Sequence, residues 1–237
     1  MKYMKKGKFI VFEGLDGSGK STQTKMLASY LETKGFKVKK IDFPQYSTKS
    51  AGLIEEYLTG KYGTAEEVGP YLASIFYACD RYDASFKIKK WIDDGNFVIS
   101  DRYIASNMGH QGGKIRDKKE RTKYFEWLYN LEYNIFKIPR PDTTIILKTS
   151  TQLSLALSSQ ITDKEKKRKK DFYLEKGKKK DIHENNASHL NWALISYLHA
   201  KQIFPKDFTI VECLVKDKLL PKDKIHAKII KIIDKLL

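Results

Sequence analysis

Eight consecutive residues, Gly14-Leu15-Asp16-Gly17-Ser18-Gly19-Lys20-Ser21, match the pattern G-x-x-x-x-G-K-[ST] at every defined position. Glycines in such a run let the backbone wrap a phosphate with its N–H groups, some at φ values closed to other residues. A helix leaving the run at Ser21 and Thr22 would add partial positive charge at its N-terminus. Lys20 is expected to reach the β- and γ-phosphates of a nucleoside triphosphate, and the Ser21 hydroxyl to hold Mg²⁺. A second polar cluster is Asp101-Arg102-Tyr103-Ile104-Ala105-Ser106-Asn107. An acid ending a strand beside the phosphate loop can hold Mg²⁺ or its waters, and the neighbouring guanidinium can cancel repulsion between two polyanions. A plain structural ion pair is the other reading of Asp101-Arg102.

These residues need a scaffold that brings them together. Five short β-branched runs read as strands: Phe9–Glu13, Val38–Phe43, Phe97–Ser100, Thr143–Leu147 and Thr209–Val211. Being mostly continuous, they suit strands buried on both faces of a parallel sheet. Helical patterns alternate with them at Ser21–Lys34, Glu66–Asp94, Asp117–Phe136, Leu153–Gln160, Asn185–Lys201 and His226–Leu237, with a surface helix and loop in Ser47–Gly63. Gly35 suits the end of the first, and Pro70 falls in the early turns of the second. In the third, Tyr124, Phe125, Leu128, Leu131 and Ile135 recur at helical spacing. The alternation predicts an α/β fold, a three-layer doubly wound parallel sheet of five strands, as one domain over residues 1–237.

The totals exclude several classes. No run reaches the roughly 18 apolar residues of a membrane span. The two cysteines, Cys79 and Cys213, form no metal-type pair, which suits a reducing cytoplasm. The five histidines show no ligand spacing. The formal net charge of +16 invites a nucleic-acid reading, but Asp163–Lys180 alone supplies +6 of it with few aromatics interleaved. Charge by itself speaks to association and not to chemistry, so no specific nucleic acid is expected.

Several segments, in order and over nearly the whole chain, resemble thymidylate kinases, P-loop nucleoside monophosphate kinases. They are the loop with Asp16, Phe43-Pro44-Gln45-Tyr46, Tyr57–Gly60, Tyr77-Ala78-Cys79-Asp80-Arg81, Asp101–Asn107, His110-Gln111-Gly112 and Pro141-Asp142. The resemblance implies transfer of the γ-phosphoryl of ATP to dTMP, with Mg²⁺, in a homodimer packed through helices. It places Asp16 near the acceptor's 3′-hydroxyl and Phe43 and Pro44 in the wall of its pocket. Tyr77 would stack on the base and Arg81, four residues on, would hydrogen-bond its exocyclic oxygen; a surface salt bridge is the other reading of Arg81. Arg102 would bind the acceptor phosphate, and Ser106, Asn107, His110 and Gln111 would line the same pocket. Asp101 and Ser21 would hold the metal, and Leu214–Asp217 would lie on the adenine side.

The chain departs from the family pattern at Tyr46, His110, Lys148, Ser159, Trp192 and Leu194. Gly17 stands where some members carry a P-loop arginine. The lysine-rich insert, about 160–182, stands where the family has its lid, and Arg168 is the residue expected to act on the transferring phosphoryl. The catalytic set is therefore Lys20, Asp16, Arg102 and Arg168. Two alternatives stay open: another nucleoside monophosphate or deoxynucleoside kinase on the same scaffold, and a nucleotide-binding protein with weak catalysis.

Overall fold

The structure, a computed structural model, describes residues 6–159 and 187–237. The insert at about 160–182 and Arg168 lie outside the described residues. Strands β1 (Lys8–Glu13), β2 (Val38–Asp42), β3 (Phe97–Asp101), β4 (Thr143–Lys148) and β5 (Phe208–Glu212) form one sheet in the order β2-β3-β1-β4-β5. All four pairings are parallel. Successive side chains of β1 point to opposite faces. Phe9 and Val11 join a core with Ala84, Ile88, Tyr124, Leu128 and Tyr197, whereas Ile10 and Phe12 join Leu27, Leu31, Ile225 and Ile229. Helices thus cover both faces, giving the three-layer doubly wound α/β class expected. Burial on both faces holds for β1, β3 and β4; β2 is an edge strand that leaves Lys39, Lys40 and Asp42 exposed.

Helices α1 (Lys20–Thr33), α2 (Gly52–Leu58), α3 (Ala65–Asp93), α4 (Ile104–His110), α5 (Lys118–Tyr129), α6 (Thr151–Ser159), α7 (Ala187–Ile203) and α8 (Lys222–Ile233) connect or follow the strands among the described residues. Two details correct the sequence reading. The long helix α3 is broken at Gly69, whose φ of 71° is non-helical, so Pro70 opens a second segment instead of sitting inside one. A capping box of Thr64 and Glu67 starts the first segment.

The second correction bears on the site. Helix α5 runs into a π-helical turn, Asn130–Ile135, where Phe136 N–H donates to the Leu131 carbonyl. A π turn adds a residue to the repeat and shifts which side chains face inward. The inward stripe of Phe125 and Leu128 continues at ordinary helical spacing to Glu132, fully buried, while within the turn Ile135 is 62% exposed. A small hairpin, β6 (Leu214–Val215) and β7 (Lys218–Leu219), was also not anticipated; Lys216 and Asp217 turn it at φ of 48° and 60°.

Candidate active site

The loop between β1 and α1 has the form its sequence demands. Gly14, Gly17 and Gly19 adopt φ of 134°, 78° and 91°. A Cβ on Gly14 would lie 2.6 Å from the Leu147 carbonyl oxygen, and one on Gly17 would lie 2.6 Å from that of Ser154. The loop is thus wedged between β4 and α6. Gly19 precedes α1 in the left-handed region with open space where a side chain would be. The Lys20 ammonium, nearly buried, donates to the carbonyl oxygens of Gly14 at 3.1 Å and Leu15 at 2.9 Å. Lys20 is thus folded back over the bent loop. Among the described residues the buried Ser18 hydroxyl has no hydrogen-bond partner.

β3 lies beside β1 in the register Phe12↔Asp101, so Asp101 ends level with the start of the loop. The next residue, Arg102, has a φ of 74° and donates its backbone N–H to the Phe12 carbonyl at 2.8 Å. Its guanidinium bridges two elements. Nη2 donates to Asp16 Oδ1 at 2.6 Å, while Nη1 donates to Ser106 Oγ at 3.0 Å and to His110 Nε2 at 3.2 Å. The ion-pair partner is Asp16, not Asp101. Burial opposes the Arg102 charge, but Asp16 and the other carboxylates outweigh it and the net pKa is raised. An arginine has no acceptor, so His110 Nε2 must carry a lone pair and the ring must be neutral. Burial first, then the Arg102 charge, holds the His110 pKa well below its ordinary value. His110 stacks on His189 of α7 at 5.7 Å and meets the edge of Tyr197.

Glu13 organises this corner, and sequence reasoning missed it. It is fully buried and accepts from the N–H groups of Tyr103 (2.7 Å) and Ser106 (3.0 Å), the Ser106 hydroxyl (2.7 Å) and the Tyr197 hydroxyl (3.1 Å). Burial pushes its carboxyl up; Arg102 pulls it back only in part. The one signal in the sequence was an acid ending a strand of buried type.

Tyr77 on α3 is half-buried and meets Tyr57 edge-on at 6.4 Å. Arg81, one turn on, is no surface cation: it is 1% exposed and donates Nε and Nη2 to Glu132 Oε2 and Oε1 at 2.6 and 2.7 Å. The surface salt bridge reading is therefore wrong. Phe43 is a core residue against Tyr103, so only Pro44 of that pair is accessible enough to line a pocket. Buried Asp80 accepts from Gln45 N–H at 2.9 Å and Ser50 Oγ at 2.7 Å, tying the Phe43-Pro44-Gln45 segment to α3. Asn107 donates an amide N–H to the Ser74 carbonyl at 3.3 Å. The buried Gln111 Oε1 has no hydrogen-bond partner among the described residues. Of the departures, Lys148 pairs with Glu212 at 2.8 Å, and the face of Trp192 carries Arg116 at 4.2 Å.

Among the described residues no cluster of three or more His, Cys, Asp or Glu could hold a metal. The Ser21 hydroxyl and the Asp101 carboxylate are hard oxygen donors at the ends of α1 and β3. Two such donors plus phosphate oxygens fit Mg²⁺, which is seldom caged by protein alone.

A phosphate loop on a doubly wound parallel sheet, facing an arginine corner on the adjacent strand, defines a P-loop protein of the nucleoside monophosphate kinase class. The chain belongs to the thymidylate kinase family, whose model matches residues 12–198. It is 30% identical to a "probable thymidylate kinase" of Thermococcus kodakarensis over 97% of this chain and 98% of that one. It is 34% identical to a thymidylate kinase of Plasmodium falciparum over 60% of this chain, a match spanning 62% of that relative. The chain likewise spans 62% of a putative thymidylate kinase of Invertebrate iridescent virus 6, at 35% identity. The solved thymidylate kinase of Candida albicans superposes with a TM-score of 0.70 at 26% identity, covering 97% of this chain and 92% of that one.

Proposed function

We propose that this chain transfers the γ-phosphoryl group of ATP to dTMP, giving ADP and dTDP, by direct in-line displacement. The observation that supports it best is the Arg102 bridge. One guanidinium touches Asp16 of the donor loop and Ser106 and His110 of α4, so the acceptor phosphate it would bind lies beside the donor phosphates. Gly14 to Thr22 hold the triphosphate, with Lys20 leaving the loop carbonyls for the β- and γ-oxygens. Asp16, opposite Arg102, is placed to orient the sugar hydroxyl. Tyr77, Arg81, Asn107 and Gln111 take the base. Ser21 and Asp101 would hold Mg²⁺, which neutralises charge on the bridging phosphate oxygens when bound. Arg168 remains the proposed lid contribution; unchanged turnover in Arg168→Ala would sink it.

The exposed residues Tyr71, Ile75, Tyr82 and Phe86 line one stripe of α3. That stripe supports a helix-packed homodimer, which light scattering tests. No described helix is long and apolar enough to cross a membrane. The two cysteines are free, in keeping with a reducing cytoplasm.

The decisive assay is ADP release with ATP, Mg²⁺ and each nucleoside monophosphate or nucleoside in turn. The reading requires dTMP to be the best acceptor; equal rates with dCMP, dUMP or thymidine would overturn it. His110, where the family pattern has tyrosine, favours a second reading in which other pyrimidine monophosphates are also accepted. The Candida albicans structure is described as revealing the origin of broad substrate specificity in that enzyme.

A further inference from the structure

We propose that Glu132 is a positioning residue of the acceptor pocket. It fixes and neutralises the Arg81 guanidinium, and so sets affinity and selection for a base with a carbonyl at position 4. This rests on the acceptor reading above, and it concerns a residue that no motif marked.

The geometry is a side-on fork. Arg81 Nε and Nη2 meet the two oxygens of Glu132 at 2.6 and 2.7 Å, with the two side chains 1% and 0% exposed. Burial works against the Arg81 charge, and Glu132 is the main influence that restores it. Arginine has five N–H groups. The fork occupies Nε and one N–H of Nη2, leaving Nη1 and the outer N–H of Nη2. All of these are donors and cannot rotate while both carboxylate oxygens are engaged. A pocket edge made only of fixed donors accepts the carbonyl of thymine or uracil. It opposes the amino group of cytosine, whose N–H would face N–H.

An uncompensated guanidinium in an apolar pocket would favour an anion and would itself be costly to bury. With Glu132 beside it, Arg81 presents donors without net charge, as suits a neutral base. Arg102, by contrast, is paired to an Asp16 side chain that is 59% exposed and meets it through one oxygen, a partner able to yield to a phosphate.

Well-packed apolar residues often replace a buried ion pair at no cost in stability. Here the surroundings include the buried Tyr103 ring and Tyr133. Glu132 nonetheless stands there, within a π-helical turn, a local departure that recurs at functional sites.

The test uses Glu132→Gln and Glu132→Asp in the full chain, with kcat and KM for dTMP and dCMP at saturating ATP, and thermal unfolding as a control. Glu132→Gln is expected to raise KM for dTMP about 10-fold or more, the scale of a lost charged hydrogen bond. Its kcat and its KM for ATP should stay within about twofold, since the lost contact holds the acceptor in ground and transition states alike. The preference for dTMP over dCMP should fall. Glu132→Asp keeps the charge but shortens the reach, and should fall between; it decides the matter if the Gln variant does not fold. A folded variant with unchanged KM and unchanged preference overturns the inference while leaving the acceptor reading intact. A wild-type chain inactive on dTMP overturns the acceptor reading first, and this inference with it.

Discussion

The two ends of the proposed site are built differently. The donor end is one contiguous loop in which backbone groups do most of the work, and its lysine is held by carbonyls of residues five and six positions earlier. The acceptor end is assembled from side chains that meet across the fold: Arg102 to Asp16 across 86 positions, Ser106 to Glu13 across 93, Arg81 to Glu132 across 51. A cradle of backbone can be specified by a local pattern, because φ is local. A pocket of opposed side chains needs the sheet and helices in place first. The same residue type also does two jobs there. Arg102 has a yielding partner and suits a phosphate; Arg81 has a locked one and suits a neutral base.

The largest test of that contrast is Lys20→Ala, which removes the donor-end cation. Turnover measured with saturating ATP and dTMP should fall by about 10²–10³-fold, as for loss of one preorganised charge-stabilising group. A smaller loss would mean the loop backbone suffices. Next is Arg102→Lys. A point charge cannot bridge Asp16, Ser106 and His110 together, so kcat/KM for dTMP should fall roughly 10- to 100-fold, the equivalent of about 1.5–3 kcal/mol.

The double change Arg81→Met with Glu132→Leu separates stability from binding. Removing one partner alone should cost about 3–5 kcal/mol, whereas replacing both should leave denaturant stability within about 1 kcal/mol of wild type. Acceptor binding in the double variant should still be lost, as read by calorimetry with dTMP. If dTMP binds normally, the base end does not use Arg81.

The smallest effect is in acid. His110, His189, His199 and His226 all have pKa values lowered from 6.5, in each case by burial first. The unfolded chain therefore takes up protons near pH 6.5 while the folded chain still refuses them. Stability should decline as pH falls below about 6.5, and be fully present above it. Urea midpoints between pH 7.5 and about 5.5 should show this, with a shallower slope in His110→Asn.

Much of this was legible beforehand. The alternation of apolar strands and periodic helices was enough for the doubly wound sheet, and the loop sequence was enough to expect a glycine-rich turn with some glycines at positive φ. The arginine of the Asp101-Arg102 pair was marked as functional, but its bonding partner was not, because Asp16 lies on another strand's loop. The last turn after α5 was misread for a physical reason. The apolar types of Leu131 and Ile135 drew the stripe onto them, whereas Glu132, four residues after Leu128, is the buried side chain and Ile135 is 62% exposed. Gly69 broke α3 where periodicity carried straight through.

What the chain determined by itself is therefore whatever depends on local backbone freedom and on the period of its apolar residues: the order of elements, the sheet, and the loop that clasps a phosphate. What only the tertiary structure decided is which charges meet. Glu13 beneath the α4 corner, Asp80 behind Pro44 and Glu132 against Arg81 are pairings across long chain separations. A buried charge takes whichever opposite partner packing brings within reach, and no local spacing encodes that choice.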